Sequence, residues 1–132
     1  KLGPRYANLT NRVIYTQFEV IRKFAEESSC LIVGRCSDYI LKDRSDCLNI
    51  FVYAPEEYRI KHIMEQKNIS EAEAKDLVRY NDDMLRARYK YMTGTTRGDR
   101  HMRHLMVDSS VLGLAKTAKY IMQFIDLRFE NM

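Results

Sequence analysis

Arginine dominates the positions in this chain where chemistry can be placed. Arg35 ends the apolar run Leu31-Ile32-Val33-Gly34 and precedes the polar turn Cys36-Ser37-Asp38. An apolar run closing on Gly-Arg is predicted to be a buried strand that delivers its arginine to the carboxyl edge of a sheet, with a helix starting just after it. The guanidinium is a planar, permanently charged fork that matches a phosphate. The alternative is a surface arginine paired with Asp38 or with a helix end.

A second group, Arg79, Asp82, Asp83, Arg86 and Arg88, lies within one predicted helix. Asp82 and Asp83 stand four and three residues before Arg86, spacings at which helical side chains meet. One reading is a solvated, salt-bridged face. The other places Arg86 and Arg88 beside the loop Thr93–Arg100 as a mobile lid over transferring phosphates, where fixed positive charge is what the chemistry needs. A third group is Asp108-Ser109-Ser110, between an apolar run and a helical pattern. It reads equally as a plain helix cap or as the wall of a base-binding pocket. His62, His101 and His104 lack metal-ligand spacing, so no metal site is expected from them. Tyr80, Tyr89 and Tyr91 alternate with basic residues. That pattern is compatible with single-stranded nucleic acid and equally with a helix packed on one face, and nucleic acid is not the expected partner.

The elements that must position these residues follow from periodicity. Lys1–Leu9 reads as a loop, and Thr10–Glu27 as a helix carrying Val13, Ile14, Phe18, Ile21 and Phe24 at helical spacing. Cys30–Gly34 reads as a buried strand, Ser37–Leu41 as a short helix, and Lys42–Asp46 as an exposed connection. Leu48–Ala54 is the clearest strand, rich in β-branched and aromatic residues. Pro55-Glu56-Glu57 opens a helix to about Gln66, and Ser70-Glu71-Ala72-Glu73 has capping-box spacing ahead of a helix to about Tyr91. His104–Asp108 reads as a third strand, and Ser109 or Ser110 caps a final helix. The alternation predicts an α/β fold, a parallel sheet with crossover helices. Arg35, Pro55 and Asp108 then fall on one sheet edge.

The 132 residues, 45% of them hydrophobic, suffice for one domain with a core. Lys and Arg outnumber Asp and Glu by 22 to 18, a mild excess that favours an anionic ligand and does not by itself argue for nucleic acid. Cys30, Cys36 and Cys47 have no C-x-x-C spacing, which fits reduced thiols in a cytoplasmic protein and neither a disulfide framework nor a zinc site. No apolar run approaches the ~18 residues of a membrane span, and no signal peptide pattern is visible.

Three segments carry a resemblance: Val33–Leu41, Leu48–Arg59 and Val107–Gly113. In order and spacing they resemble the cytidylate kinase-like family of P-loop kinases, over most of the chain from about Thr10. The resemblance implies a three-layer α/β/α kinase fold and phosphoryl transfer from ATP to a nucleoside monophosphate with Mg2+. On matching positions, Arg35 resembles the arginine that contacts the acceptor nucleotide, and Arg59 an arginine at the start of the lid, which spans about 56–100. Arg86 and Arg88 resemble the arginines after the lid that reach phosphates. Asp108 and Ser109 resemble the loop near the donor base. The catalytic candidates are therefore Arg59, Arg86 and Arg88, the substrate-binding candidates Arg35, Asp38 and Asp83, and the cofactor-binding candidates Asp108 and Ser109. Two positions depart from the cytidylate kinases proper. Cys36 stands where they usually have Asp, and Leu85 stands where they carry an acid that helps recognise the cytosine nucleotide.

No G-x-x-x-x-G-K-[ST] motif occurs in these 132 residues. In the family that loop lies upstream, on a strand between the first two strands placed above. The expectation is a domain incomplete at its N-terminal side, which supplies the acceptor and lid sides and does not transfer phosphate efficiently alone. The rival expectation is a non-catalytic nucleotide- or protein-binding module on a kinase-like scaffold.

Overall fold

The computed structural model describes residues 4–130; the expected loop at residues 1–3 lies outside them. The order is α1 (Pro4–Glu27), α2 (Ser37–Ile40), β1 (Ile50–Tyr53), α3 (Glu56–Lys67), α4 (Glu71–Thr93), a single 3-10 turn (Arg100–Met102), β2 (Leu105–Asp108) and α5 (Ser109–Phe129). The chain is a helix-rich α/β protein with a two-stranded parallel sheet.

β1 and β2 pair with Ile50 opposite Leu105 and Tyr53 opposite Asp108. Parallel strands need a long crossover, and the α3–α4 hairpin supplies it. The ladder is tied at both ends. At its start, Asn49 N–H donates to His104 Nδ1 at 2.9 Å while Asn49 O accepts from the His104 and Leu105 amides. At its end, Ser109 Oγ donates to Tyr53 O.

Two expectations fail. Residues 4–9 are helical, not a loop: Pro4 sits in the first turn of α1, where its missing N–H costs nothing, and no breaker follows it. Cys30–Gly34 is not a strand. Leu31 and Val33 are 88% and 82% exposed. An apolar run becomes a buried strand only when a neighbouring strand completes its hydrogen bonds, and among the described residues β1 and β2 pair only with each other. The predicted three-strand edge is thus two strand ends plus a turn. Apolar side chains also stand exposed along α1 (Val13, Phe24) and α5 (Val111, Leu114, Leu127).

The α3–α4 hairpin has the best-defined core. Ile60, Ala74 and Val78 are buried, with Ile63, Met64 and Ile69 packed around them. Local chemistry fixes its turn. Asn68 takes the left-handed conformation that ends α3 (φ 52°). The capping box on α4 forms as its spacing predicts: Ser70 Oγ accepts from Glu73 N–H, and Glu73 Oε2 accepts from Ser70 N–H. Two ion pairs cross the hairpin, Arg59–Asp82 and Arg79–Glu56.

Because Ile60 is the large side chain at the centre of this cluster, Ile60→Ala is expected to lower stability by about 2–5 kcal/mol, from lost transfer energy plus the cavity. Urea denaturation followed by circular dichroism measures this as a lower midpoint.

Candidate functional site

The segment that opens on Gly34-Arg35 is a left-handed turn. Gly34, Arg35 and Cys36 have φ of 70°, 57° and 57° in succession. Only glycine adopts this region freely; Arg35 and Cys36 each cost roughly 1–2 kcal/mol there. The turn persists because its flank is held down. The Cys36 side chain is buried, with its Sγ 3.7 Å from Met92 Sδ on α4. Asp38, in the first turn of α2, accepts from Tyr89 Oη at 2.8 Å and pairs with Arg103. The Arg103 side chain is 6% exposed, Asp38 15%. Burial, reinforced by the hydrogen bond to Asp38 and its charge, pushes the Tyr89 hydroxyl up to about 12, so it remains a donor.

This arrangement separates Arg35 from Asp38. The alternative in which they pair is not realised: Asp38 is taken by Arg103 and Tyr89. Arg35 is exposed, with no carboxylate partner among the described residues.

A second layer rests on Phe51 of β1. The guanidinium carbons of Arg97 and Arg103 each lie 5.2 Å from its ring centroid. Gly98 lies against the same ring, and a Cβ there would approach Phe51 Cζ to 3.3 Å, at a φ of 83° that already favours glycine. The loop Thr93–Arg100, expected as a mobile lid segment, is pinned to the sheet at these points. It is also braced by the Thr93–Thr95 hydroxyl contact and by Asp99, which accepts from His101 N–H.

The remaining candidates fall into distinct settings. Arg59 donates twice to Asp82, both bonds at 2.8 Å. This hydrogen bonding holds the Asp82 carboxyl below the usual carboxylate range, against the opposing effect of burial, and raises the Arg59 guanidinium. Arg86 is exposed and lies near both Asp82 (3.9 Å) and Asp83 (3.3 Å), as the helical spacing predicts. Arg88 extends from α4 toward Gln17 of α1 (3.4 Å), at the rim of an apolar groove of about 340 Å³ lined by Val13, Ile14 and Met92. Asp108 caps α5, accepting from Ser110 N–H and Oγ. Ser109 is buried. Both polar groups of the Asp108-Ser109 step are therefore engaged internally.

The charges converge nonetheless. The Cys36 thiol is pushed up by burial first and by Asp38 second, and Arg88, Arg103 and Arg97 oppose the shift. Arg97 also acts on Asp82, beside Arg59 and Arg86. Sequence reasoning gave no site role to Phe51, Arg97 or Arg103, and it noted Tyr89 only in the alternation of tyrosines with basic residues. Only the position of Arg103 just ahead of a strand marks it locally.

No group of three potential ligands for a metal exists among the described residues. The half-enclosed carboxylates of the site, Asp38 and Asp82, are spent on ion pairs. These residues do not form a holder for Mg2+. Among the described residues no helix is long and apolar enough to cross a membrane.

The Arg59–Asp82 pair has a pH signature. A carboxyl depressed in the fold contributes stability that is present above its unfolded value, about 4, and is lost as pH falls through the folded value. Acid titration of stability is expected to steepen below about pH 4 in the parent. It should be flatter in Asp82→Asn, measured as Tm against pH.

The comparisons with known proteins bear on the whole arrangement. The family model of the cytidylate kinase-like family matches residues 2–111. A solved crystal structure from Eubacterium ventriosum ATCC 27560, described as an uncharacterized protein, is similar to this chain at a TM-score of 0.81 and 25% sequence identity. The match covers 86% of this chain and 65% of that one, so the chain spans less than two thirds of that neighbour. No curated protein matches. The family match takes in the Arg35 turn, both strands, the α3–α4 hairpin and the cap of α5, and the chain belongs to the cytidylate kinase-like family.

Proposed function

We propose that this chain forms the acceptor and lid side of a phosphotransferase that moves a phosphate from ATP to a nucleoside monophosphate. The observation that carries the reading is Arg35: an exposed guanidinium, unpaired among the described residues, on a strained turn held in place by buried partners. Strain maintained by the surroundings is common where a side chain must be aimed. Arg97, which shares the Phe51 ring with Arg103 and has no carboxylate partner among the described residues, adds positive charge on the side of Arg103 and supports an anionic ligand. Family membership supports a kinase-like scaffold and, in general terms, the use of ATP and Mg2+.

In this reading Arg35 binds the acceptor phosphate with charge-assisted hydrogen bonds. The α3–α4 hairpin and the loop after it, about 56–100, act as the lid, anchored at its far end where Arg97 and Gly98 rest on Phe51. Arg86 and Arg88 neutralise charge that develops during transfer. Arg59 joins them only by exchanging Asp82 for a phosphate, because its fork is filled by that carboxylate. Asp83 sits beside Arg86, and Asp108 and Ser109, whose polar groups are engaged internally, contribute to the donor side only by shaping the end of β2. A cytoplasmic location fits the substrates.

The direct test is turnover by the intact protein that contains this chain, with ATP, Mg2+ and CMP, UMP, AMP or GMP. One acceptor is expected to be phosphorylated. No turnover with any of the four, by folded protein, rejects the enzyme reading. Arg35→Ala should raise the acceptor KM roughly tenfold or more, the scale of one lost charged hydrogen bond. Arg86→Ala should lower kcat with little change in KM, because its contact forms in the transition state. An unchanged kcat removes Arg86 from the mechanism.

The internal engagement of Arg59 by Asp82 and of Asp108 by Ser110 favours one second reading, a nucleotide-binding module without catalysis. It predicts saturable nucleotide binding with no product in the same assay.

A further inference from the structure

Arg103 belongs to none of the candidate site sets, yet it holds the candidate Asp38 and is the most enclosed charged side chain among the described ion pairs. It lies 65 residues along the chain from Asp38, just ahead of β2. Its guanidinium pairs with Asp38 and lies over the face of Phe51. Its Nε is buried with no hydrogen-bond partner, so the side chain is held by the ion pair and the ring rather than by full solvation of its own donors. Asp38 in turn accepts from Tyr89 of α4. Three elements therefore meet on one carboxylate: the α2 segment that follows the left-handed turn, the lid helix α4, and the approach to β2.

The geometry has a direct mechanical meaning. Residues 34–36 occupy a conformation that the backbone disfavours. Their return to an ordinary conformation would swing Arg35 and withdraw Cys36 from Met92. What opposes that return is the anchoring of Asp38, two residues after Cys36, together with the burial of Cys36 itself. We infer that Arg103 is a positioning residue: through Asp38, and with Tyr89 as a second brace, it locks the Gly34–Cys36 turn so that Arg35 is presented to the acceptor phosphate. The inference rests on the proposed role of Arg35 as the acceptor contact. The Arg103 strut also joins the acceptor turn to the loop carrying Arg97 and Gly98, since both Arg97 and Arg103 lie on Phe51.

Two readouts on the intact protein test this, one independent of nucleotide. The first is the rate of N-ethylmaleimide labelling at Cys36, resolved by mass spectrometry, with exposed Cys30 as the internal reference. Arg103→Gln should raise the Cys36 rate about tenfold or more, because a buried pair that loses one partner opens locally. Cys30 should not change. Tyr89→Phe, which keeps the ring and removes one hydrogen bond, should give a smaller rise, and Arg103→Lys should fall between the parent and Arg103→Gln.

The second readout is calorimetric affinity for CMP, UMP, AMP and GMP in a double-mutant cycle. Arg103→Gln should weaken acceptor binding while the KM for ATP stays at the parent value. Combined with Arg35→Ala it should weaken binding no further than Arg35→Ala does alone, because the two act through one contact. Additive losses would reduce Arg103 to general scaffolding and overturn the inference, as would a Cys36 that stays protected in folded Arg103→Gln. A parent that binds none of the four nucleotides rejects the proposed function. The labelling rate then decides the strut by itself: an accessible Cys36 upholds it and a protected one overturns it.

Discussion

The Asp38 carboxylate is the point on which the candidate site depends. It is nearly enclosed, and an enclosed carboxylate is stable only when its charge and hydrogen-bonding capacity are met. Arg103 meets the charge and Tyr89 adds a hydrogen bond. Removing either ion-pair partner would strand the other in a poorly solvated place, a change on the order of 3–5 kcal/mol for a buried pair. The left-handed turn, the seat of Cys36 against Met92 and the outward course of Arg35 all lie within four residues of that carboxylate. Geometry that is locally unfavourable is kept by one interaction formed across the fold.

The arginines divide by what they are bound to. Arg59 and Arg79 stitch α3 to α4, and Arg103 braces the turn. These hold structure. Arg35, Arg88 and Arg97 have no carboxylate partner among the described residues, and Arg86 has only exposed ones. The same side chain thus serves two purposes, and enclosure separates them. A guanidinium already forked onto a carboxylate has little left to offer a phosphate, whereas an exposed one retains its donors.

What could be read from the amino acids follows the range of the forces involved. The capping box at Ser70 and Glu73, the acids and proline opening α3, and the pairs around Arg86 are all decided within a few residues and form as read, while the strands read as Leu48–Ala54 and His104–Asp108 form over the shorter spans Ile50–Tyr53 and Leu105–Asp108. Residues 4–9 were misjudged because Gly3-Pro4 resembles a break, although proline is at home in a first helical turn. Cys30–Gly34 has the composition of a strand, but a strand is a relation between segments, and no described segment pairs with it. The partners of Asp38 lie 51 and 65 residues away, on α4 and before β2. No local pattern carries such a pairing, so Arg35 could be noticed from its neighbours while the device that aims it could not.

The rung at the start of the sheet has a chemical corollary. Asn49 N–H donates to the Nδ1 of His104, so that nitrogen presents a lone pair and the ring's proton sits on Nε2. The first tie between β1 and the segment entering β2 therefore joins two kinds of group: backbone amides meet Asn49 O, and one ring tautomer stands in for a backbone acceptor at Asn49 N–H.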